Sequence, residues 1–356
     1  MVRPVWVGER EAKVKALHER LVSAVGVLVS GEDWVRAMVF AARFRSRSFG
    51  NTVLIYAQHA ERFAVGSVSE PMPSYVAGFR QWESLGRSVL KGQRGYVIQA
   101  PVTKRLASDS PSSPDSWRVL GFKERAKPGE VVRSRIVNVK PAYVWDVCQT
   151  EGDPIPVRPV PAVLAGEAPE GLWDGLRALV EAEGFTVGLV DSAGEIHGAN
   201  GVTDFAERAV RVRSDMDAAA RVKTLAHELG HVRMHDPDDA LSWSHRGVGE
   251  VEAESVAMMV AAAHGMPTDS YTIPYVSSWA STVKGRTAAE VVQATGERVR
   301  AQAVAILAGL DTAQVGAGDP PGLDRATVSA GRAKSAEVST PTRVSPVADR
   351  GMVVTS

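Results

Sequence analysis

Apolar residues change their spacing several times along this chain, and each spacing predicts a different kind of element. In residues 34–44, WVRAMVFAARF, apolar side chains recur every three or four positions, which predicts an amphipathic helix. The run NTVLIYAQH at 51–59 is compact and apolar, a pattern that fits a helix or a strand. Glycines punctuate short apolar patches at 82–98, which predicts a turn-rich pair of strands, and alternation at 131–147 predicts further strands.

The second half of the chain has a different pattern. Residues 151–171 contain five prolines and little periodicity, which is typical of a semi-rigid linker. After the linker, helical spacing dominates, and long helices are predicted at 218–235, 248–264 and 288–310. From residue 311 to residue 356 the chain consists mostly of Ser, Thr, Pro, Gly, Ala and Val without a period, so we expect a disordered tail there.

Together these patterns predict an α+β protein of two domains. The first domain, residues 1–150, is expected to be mixed α/β, and the second, residues 172–310, to be mainly helical. The linker at 151–171 separates them, and the tail at 311–356 follows. A length of 356 residues agrees with two domains.

Charge supports the same division. The formal net charge of the whole chain is zero, but residues 1–150 carry +10 and residues 151–310 carry −10. A basic half joined to an acidic half predicts domains with different partners, although charge also fluctuates along chains without such a meaning. The single cysteine, Cys148, cannot form an internal disulfide, and no apolar stretch approaches the roughly 18 residues of a membrane span. We therefore expect a cytoplasmic protein.

The strongest chemical signal is an HExxH pattern in the helix predicted at 218–235. His227 and His231 are four residues apart, so they lie on one face of a helix, roughly 6 Å apart along its axis. Their imidazoles can converge on one Zn²⁺ ion. Glu228 is adjacent and can reach a water on the metal, which suits a general base in hydrolysis. The alternative is a surface helix with two ordinary histidines, but the apolar neighbours Leu225 and Leu229 favour a buried helix.

A catalytic zinc site needs a third protein ligand. His235 is about 12 Å from His227 along the helix axis, which is too far to share the ion. The next predicted helix offers Glu250, Glu252 and Glu254, and Glu252 aligns with an apolar stripe. A carboxylate on a buried face is costly unless it is paired or bound to metal, so Glu252 is the expected third ligand. The alternative is that these acids only favour the helix dipole, which suits Glu250 better than Glu252.

The sequence TLAHELGHVRMH, followed by GEVEAESVAMMV, resembles the ImmA/IrrE group of gluzincin-like metallopeptidases. The resemblance covers about residues 172–265 and implies zinc-dependent hydrolysis of peptide bonds, with the glutamate of the "EA" dipeptide, Glu252, as third ligand. Beyond it, Tyr271, Tyr275 and Trp279 fall four residues apart, which is typical of a packing stripe. An alternative role for Tyr275 is to donate a hydrogen bond to an oxyanion beside the metal.

Arginines and aromatic residues alternate in the basic half. In an extended strand or loop, arginines at every second position can follow phosphates while the aromatic residues between them stack on bases. The same combination recurs at 79–96. The alternative is a solvated basic face above a core that contains the aromatic rings, and composition leaves both interpretations open. The candidate DNA-binding residues are Arg43, Arg45, Arg47, Phe49, Asn51, Trp82, Arg87, Lys91 and Arg94.

Three segments of this half, SFGNTVLIYAQ, GFRQWESLGRSVLKGQRGYVIQAP and YVWDVCQTEG, resemble the N-terminal domain of ArdC-type antirestriction proteins. That family joins a domain that binds single-stranded DNA to a zinc metallopeptidase-like domain, in the order found here. Family-typical positions are Asn51, Trp82, Gly86, Lys91 and Gly92. The N-terminal arm before Asn51 is shorter than the family pattern often has.

The leading hypothesis is therefore a protein that binds single-stranded DNA and carries a zinc metalloendopeptidase domain, serving antirestriction or DNA protection for a mobile element or phage. Two alternatives stay open. One is an antirestriction factor that coats DNA and uses its metal only for stability. The other is a protease that responds to DNA and cleaves a repressor.

Overall fold

The computed structural model describes residues 4–28, 30–121, 123–155, 166–235, 246–269, 271, 279–281, 283 and 285–323. Its mixture of helices and antiparallel sheets confirms the predicted α+β class. Among the residues so described, no helix is both long and apolar enough to cross a bilayer.

Helices form the first part of the chain: α1 (Pro4–Gly26), α2 (Gly31–Arg43) and α3 (Phe49–Ala64). Ser30 begins α2 with a capping box, in which its side chain accepts from the backbone N–H of Asp33 and the Asp33 carboxylate accepts from the backbone of Ser30. Ser48 caps α3 by accepting from the N–H of Asn51. The apolar run at 51–59 is therefore helical. The arginine-rich segment is a helix end followed by a turn, so it is a loop and not an extended strand.

Antiparallel strands and one short helix follow. They are β1 (Val76–Ala77), α4 (Phe79–Ser84), β2 (Arg87–Val89), β3 (Tyr96–Ser108), β4 (Arg118–Val119), β5 (Val131–Asp146) and β6 (Thr150–Gly152). One sheet has the order β1-β5-β3-β4, and a second consists of β2 and β6. The strand pair predicted at 82–98 does not form, because β2 pairs with β6 and β3 pairs with β5.

The acidic half contains a small sheet covered by helices. Its elements are α5 (Leu172–Ala182), β7 (Thr186–Val190), β8 (Gly201–Asp204), β9 (Ala209–Arg213), α6 (Ala218–Met234), α7 (Arg246–Ala263) and α8 (Ala288–Ala308). The strand order is β7-β9-β8, with β7 parallel and β8 antiparallel to β9. Strand β8 therefore lies at an edge of this sheet, next to α6.

One hydrophobic core joins helices from both halves. Residues of α1, α2 and α3 belong to the same buried cluster as residues of α5 to α8. Trp34 donates its indole N–H to the hydroxyl of Ser255 over 2.8 Å, in a fully buried contact between α2 and α7. The Glu297 carboxylate of α8 accepts from the backbone N–H groups of Phe49 and Gly50, each at 3.1 Å. The two halves thus pack together, even though a proline-rich segment separates them in sequence.

The disordered tail was predicted to begin at residue 311, but residues 311–323 form hydrogen bonds with other parts of the chain. Residues 311–323 contact both halves of the chain: the Val315 N–H donates to the Ala263 carbonyl of α7 at 2.7 Å, and the Val76 N–H of β1 donates to the Gly318 carbonyl at 3.0 Å. These backbone hydrogen bonds hold the segment without an apolar period, which is why composition alone assigned it to the tail. Residues 324–356 lie outside the described part of the chain.

We expect Gly318→Ala to destabilise the protein more than Gly322→Ala. Both glycines have positive φ, +87° and +83°, which costs an alanine about 1 kcal/mol. A Cβ at Gly318 would also lie 2.6 Å from the Phe44 ring and 2.9 Å from the Arg43 carbonyl oxygen, whereas one at Gly322 meets only Leu85 at 3.7 Å. Urea unfolding should show that Gly318→Ala lowers the free energy of unfolding by about 2–4 kcal/mol. Equal losses of unfolding free energy in both variants would show that the close approach of Gly318 to Phe44 and the Arg43 carbonyl contributes nothing.

Candidate metal centre

Helix α6 brings the HExxH residues to the floor of a cleft. Asp217 begins the helix by accepting from the backbone N–H of Ala220 at 2.7 Å. Leu225 and Leu229 are fully buried in the core, as the sequence predicts. His227 and His231 lie one turn apart and remain partly exposed where they line the cleft.

The two imidazoles face each other and a carboxylate from α7. The Nε2 atoms of His227 and His231 are 3.0 Å apart. The Glu250 carboxylate lies 3.5 Å from Nε2 of His227 and 3.6 Å from Nε2 of His231. One donor atom from each residue lies within 4.8 Å of the others. Two imidazole nitrogens and one carboxylate form the donor set of a three-ligand catalytic zinc site, so these residues fit a divalent transition-metal ion.

Glu252, the expected third ligand, lies elsewhere. Its Oε1 accepts from Nε of Arg298 at 2.8 Å, and its Oε2 is 3.2 Å from Nε2 of His235. The residue is only 4% exposed, and a carboxylate at this depth needs such partners. Its partners, however, are an arginine of α8 and a histidine at the end of α6 rather than the HExxH histidines. Glu250 occupies the position that we expected for Glu252.

The carboxylates of Glu250 and Glu254 stabilise positive charge at this centre. The Nδ1 atom of His227 lies 3.1 Å from Glu254, which also pairs with Lys223 at 3.3 Å. Burial alone would lower the pKa of His227, but hydrogen bonds with Glu250 and Glu254 outweigh it and raise the pKa to about 9. Hydrogen bonds with His227 and His231 in turn hold the pKa of Glu250 far below its ordinary value. The centre therefore favours a proton or a cation between these groups.

Glu228 is held beside the histidines and outside the donor set. It is 5% exposed, and its Oε2 accepts from the Thr203 hydroxyl of β8 at 2.7 Å. Gly201, also on β8, leaves room for it, because a Cβ there would lie 2.8 Å from Oε1 of Glu228 and 2.5 Å from Cγ2 of Thr224. The edge strand thus sets the position of this carboxylate.

The cleft has a volume of about 980 Å³, and Glu228, both histidines and Glu250 line it together with residues of β8. The ring of Tyr271 lies on its wall, with Nζ of Lys223 3.8 Å from the ring centroid. Burial raises the pKa of the Tyr271 phenol far above its ordinary value. Tyr275, the sequence candidate for an oxyanion donor, lies outside the described residues.

Sequence reasoning missed the roles of Glu250 and Glu254. A usable signal was present, since these residues are four apart and therefore share a helix face, as the two histidines do. In the structure that face of α7 lies against the histidines of α6, with Glu250 near both and Glu254 behind His227. No sequence spacing indicated the roles of Thr203 and Arg298, because their hydrogen bonds with Glu228 and Glu252 join distant parts of the chain.

Several predicted DNA-binding residues hold the N-terminal half together. Phe49 and Trp82 are fully buried, so the expectation that their rings stack on bases was wrong. Arg47 is 9% exposed, donates to the Val76 carbonyl and lies 3.7 Å from Asp319. Its role as a phosphate ligand was likewise wrong, because its guanidinium is buried among residues of the protein itself.

Three more of these residues form internal hydrogen bonds. Asn51 donates to the Gln99 carbonyl and accepts from the Gln99 N–H, each at 2.8 Å, which fastens α3 to β3. Arg45 donates to the Val315 carbonyl at 2.9 Å, and Arg87 donates to the Thr150 carbonyl at 2.9 Å. Arg43 remains exposed at the end of α2.

Lys91 and Arg94 are exposed and share a cleft of about 1040 Å³. We name it the basic cleft; it is lined by these two residues and by Arg20, Arg62, Tyr143 and Trp145, among others. Tyr143 is 54% exposed. The basic cleft therefore combines positive charge with an accessible aromatic ring, and only Lys91 and Arg94 of its lining belong to the predicted DNA-binding set.

Two family models match this chain. Residues 20–145 match the N-terminal domain of anti-restriction factor ArdC, and residues 190–290 match the IrrE N-terminal-like domain of a peptidase family. No curated protein is similar enough to count as a match.

The chain is similar to solved structures of one protein, two of which are compared as follows. The crystal structure of the antirestriction ArdC protein from the R388 plasmid in its metal-free form is 19% identical, with a TM-score of 0.44 over 74% of this chain and 84% of that one. The Mn(II)-bound structure of that protein is 18% identical, with a TM-score of 0.42 over 74% of this chain and 87% of that one.

Proposed function

We propose that this chain, which joins an ArdC N-terminal domain to an IrrE N-terminal-like peptidase domain, is an antirestriction protein that binds single-stranded DNA and hydrolyses peptide bonds with a divalent metal. The observation that carries the proposal is the approach of His227, His231 and Glu250 at the floor of a cleft that also contains Glu228. Zn²⁺ is the proposed ion, because two imidazoles and one carboxylate suit it.

Each residue of the centre has a defined task in this proposal. His227, His231 and Glu250 hold the metal, which when bound supplies Lewis acidity for hydrolysis. Glu228, kept in place by Thr203, takes the proton from the attacking water. Within the described residues β8 pairs with β9 alone, so an extended peptide can add to its other edge beside Glu228. The protein substrate, which the sequence hypothesis takes to include a repressor, would then lie along β8.

Hydrolysis of an unfolded protein such as casein by the Zn²⁺-loaded full chain tests this activity. We expect cleavage that a chelator removes and that added Zn²⁺ or Mn²⁺ restores, because the donor set accepts either ion with different affinity. The assay is run with and without single-stranded oligonucleotide. Cleavage that persists without any metal would contradict the proposed mechanism.

The proposed DNA site is the basic cleft. Lys91 and Arg94 are exposed there, and Tyr143 offers a ring on which a base can stack. The surrounding half of the chain carries a net charge of +10, which favours a phosphate backbone. Mobile-element or phage DNA entering a cell is the proposed ligand.

We expect the double variant Lys91→Ala/Arg94→Ala to bind a labelled oligo-dT more weakly. Loss of two phosphate contacts should also reduce the slope of log K against log[salt] by about 1.4 for a single strand. Fluorescence anisotropy across a salt series measures both effects. The matched control is Arg177→Ala, which removes an exposed arginine paired with Glu181 on α5. Unchanged affinity and slope in the double variant would place the DNA elsewhere.

A further inference from the structure

His231 contacts a chain of side chains that continues away from the candidate metal centre. Its Nδ1 atom lies 2.9 Å from Nδ1 of His235. On the other side of that ring, Nε2 of His235 lies 3.2 Å from Oε2 of Glu252. Oε1 of Glu252 accepts from Nε of Arg298 at 2.8 Å. Residues of α6, α7 and α8 thus meet in one continuous network.

The direction of these hydrogen bonds follows from the chemistry of the groups. If Nε2 of His231 faces a metal, its neutral ring carries the proton on Nδ1 and donates it to Nδ1 of His235. His235 then carries its own proton on Nε2 and donates it to the Glu252 carboxylate. Arg298 can only donate, so it completes the second oxygen of Glu252. Every group in the network has a consistent role, and no donor faces another donor.

Burial makes this network costly to interrupt. The side chains of Glu252 and His235 are 6% and 14% exposed. A carboxylate at this depth needs a compensating charge, and Arg298 provides it. The network therefore has the charged pair of Glu252 and Arg298 at one end and His231 of the candidate metal centre at the other.

The two histidines of the centre differ in how their Nδ1 atoms are linked to a carboxylate. His227 contacts a carboxylate directly, through Glu254 at 3.1 Å. His231 reaches its carboxylate, Glu252, only through the ring of His235. Hydrogen bonds of this kind set the tautomer and orientation of a metal-binding imidazole, and their loss usually costs about 10–100-fold in metal affinity.

We propose that His235 and Glu252, anchored by Arg298, are positioning residues that hold the His231 ring in its metal-binding orientation and tautomer. This inference rests on the proposed metal site. It assigns Glu252 the role of orienting a metal ligand, His231, through His235. It also gives α8 a part in the centre, although α8 supplies no ligand.

The test measures Zn²⁺ affinity of the full chain by competition with a chromophoric chelator. His235→Phe removes both hydrogen bonds while retaining a ring, and we expect its Zn²⁺ affinity to fall about 10–100-fold. Arg298→Met should weaken binding as well, whereas Arg298→Lys, which keeps the charge beside Glu252, should restore part of the loss. The control His18→Phe replaces an exposed histidine of α1 and should not change Zn²⁺ affinity.

A second readout reports the geometry of the centre. The visible absorption of the Co²⁺-loaded protein depends on the orientation of its ligands, so His235→Phe should shift the bands relative to the unaltered chain and to His18→Phe. Thermal unfolding in excess chelator identifies any variant that fails to fold, in which case Arg298→Met and Arg298→Lys decide the question.

The outcomes separate this inference from the proposed function. If His227→Ala loses Zn²⁺ while His235→Phe keeps full affinity and an unchanged Co²⁺ spectrum, the metal site stands and the positioning role is overturned. If His227→Ala retains Zn²⁺ as tightly as the unaltered chain, the metal site itself is wrong. Weaker binding and a shifted spectrum in His235→Phe, with partial recovery in Arg298→Lys, support the inference.

Discussion

Glu228→Gln is expected to lower peptide hydrolysis about 10²–10⁴-fold while leaving Zn²⁺ bound, because glutamine cannot accept the proton of the attacking water. The substitution keeps the shape of the side chain and an oxygen that can accept from the Thr203 hydroxyl. Metal analysis and a casein assay on the same preparation measure the two effects. The matched control, Glu181→Gln, changes an exposed glutamate of α5 and should retain full hydrolysis.

The result also separates the leading hypothesis from its main alternative. If Glu228→Gln keeps its metal and every activity is unchanged, the metal has only a structural role and the DNA-coating alternative gains support. If hydrolysis is lost and binding of oligo-dT persists, the two activities reside in different parts of the chain. Hydrolysis that depends on added single-stranded DNA would instead favour the protease that responds to DNA.

Glu250→Ala should produce the largest loss of metal affinity among the glutamate variants. Structural zinc sites with four protein ligands have about 10–16 kcal/mol of binding free energy, or about 2.5–4 kcal/mol per ligand, so loss of Glu250 should weaken binding on the order of 10²–10³-fold. Glu252→Gln, which acts only through His235, should have an effect of about tenfold. Chelator competition measures both.

The comparison decides between the two carboxylates. A larger loss of Zn²⁺ affinity in Glu252→Gln than in Glu250→Ala would restore Glu252 as the ligand and would require α7 to turn relative to α6. The thermal midpoint in chelator provides the control, because Glu250 is exposed and its loss should not unfold the metal-free chain.

Local sequence patterns predicted that the two histidines lie together, but they did not predict which carboxylate lies beside them. His227 and His231 belong to a motif whose geometry depends only on one helix, so their spacing was enough to predict that they lie together. The third carboxylate depends on how α7 is rotated against α6. Periodicity indicated that Glu252 is buried, which is confirmed, but it could not identify Arg298, 46 positions away, as the partner.

The basic half shows the same difference between composition and position. The pattern of arginines and aromatic rings predicted a nucleic-acid surface, yet Phe49 and Trp82 belong to the core. Two local signals could have corrected this expectation. Ser30 and Ser48 each precede an apolar, helical segment and act as N-caps, which indicates that the arginines lie at a helix junction.

The shared core has a consequence for how the protein can be divided. Separation at the proline-rich segment would leave Trp34 without Ser255 and the first turn of α3 without Glu297. Each fragment would then expose a hydrophobic surface that is buried in the intact chain, and we expect both fragments to aggregate when they are produced alone. Neither half could therefore be joined to an unrelated domain without replacing the residues of that shared core.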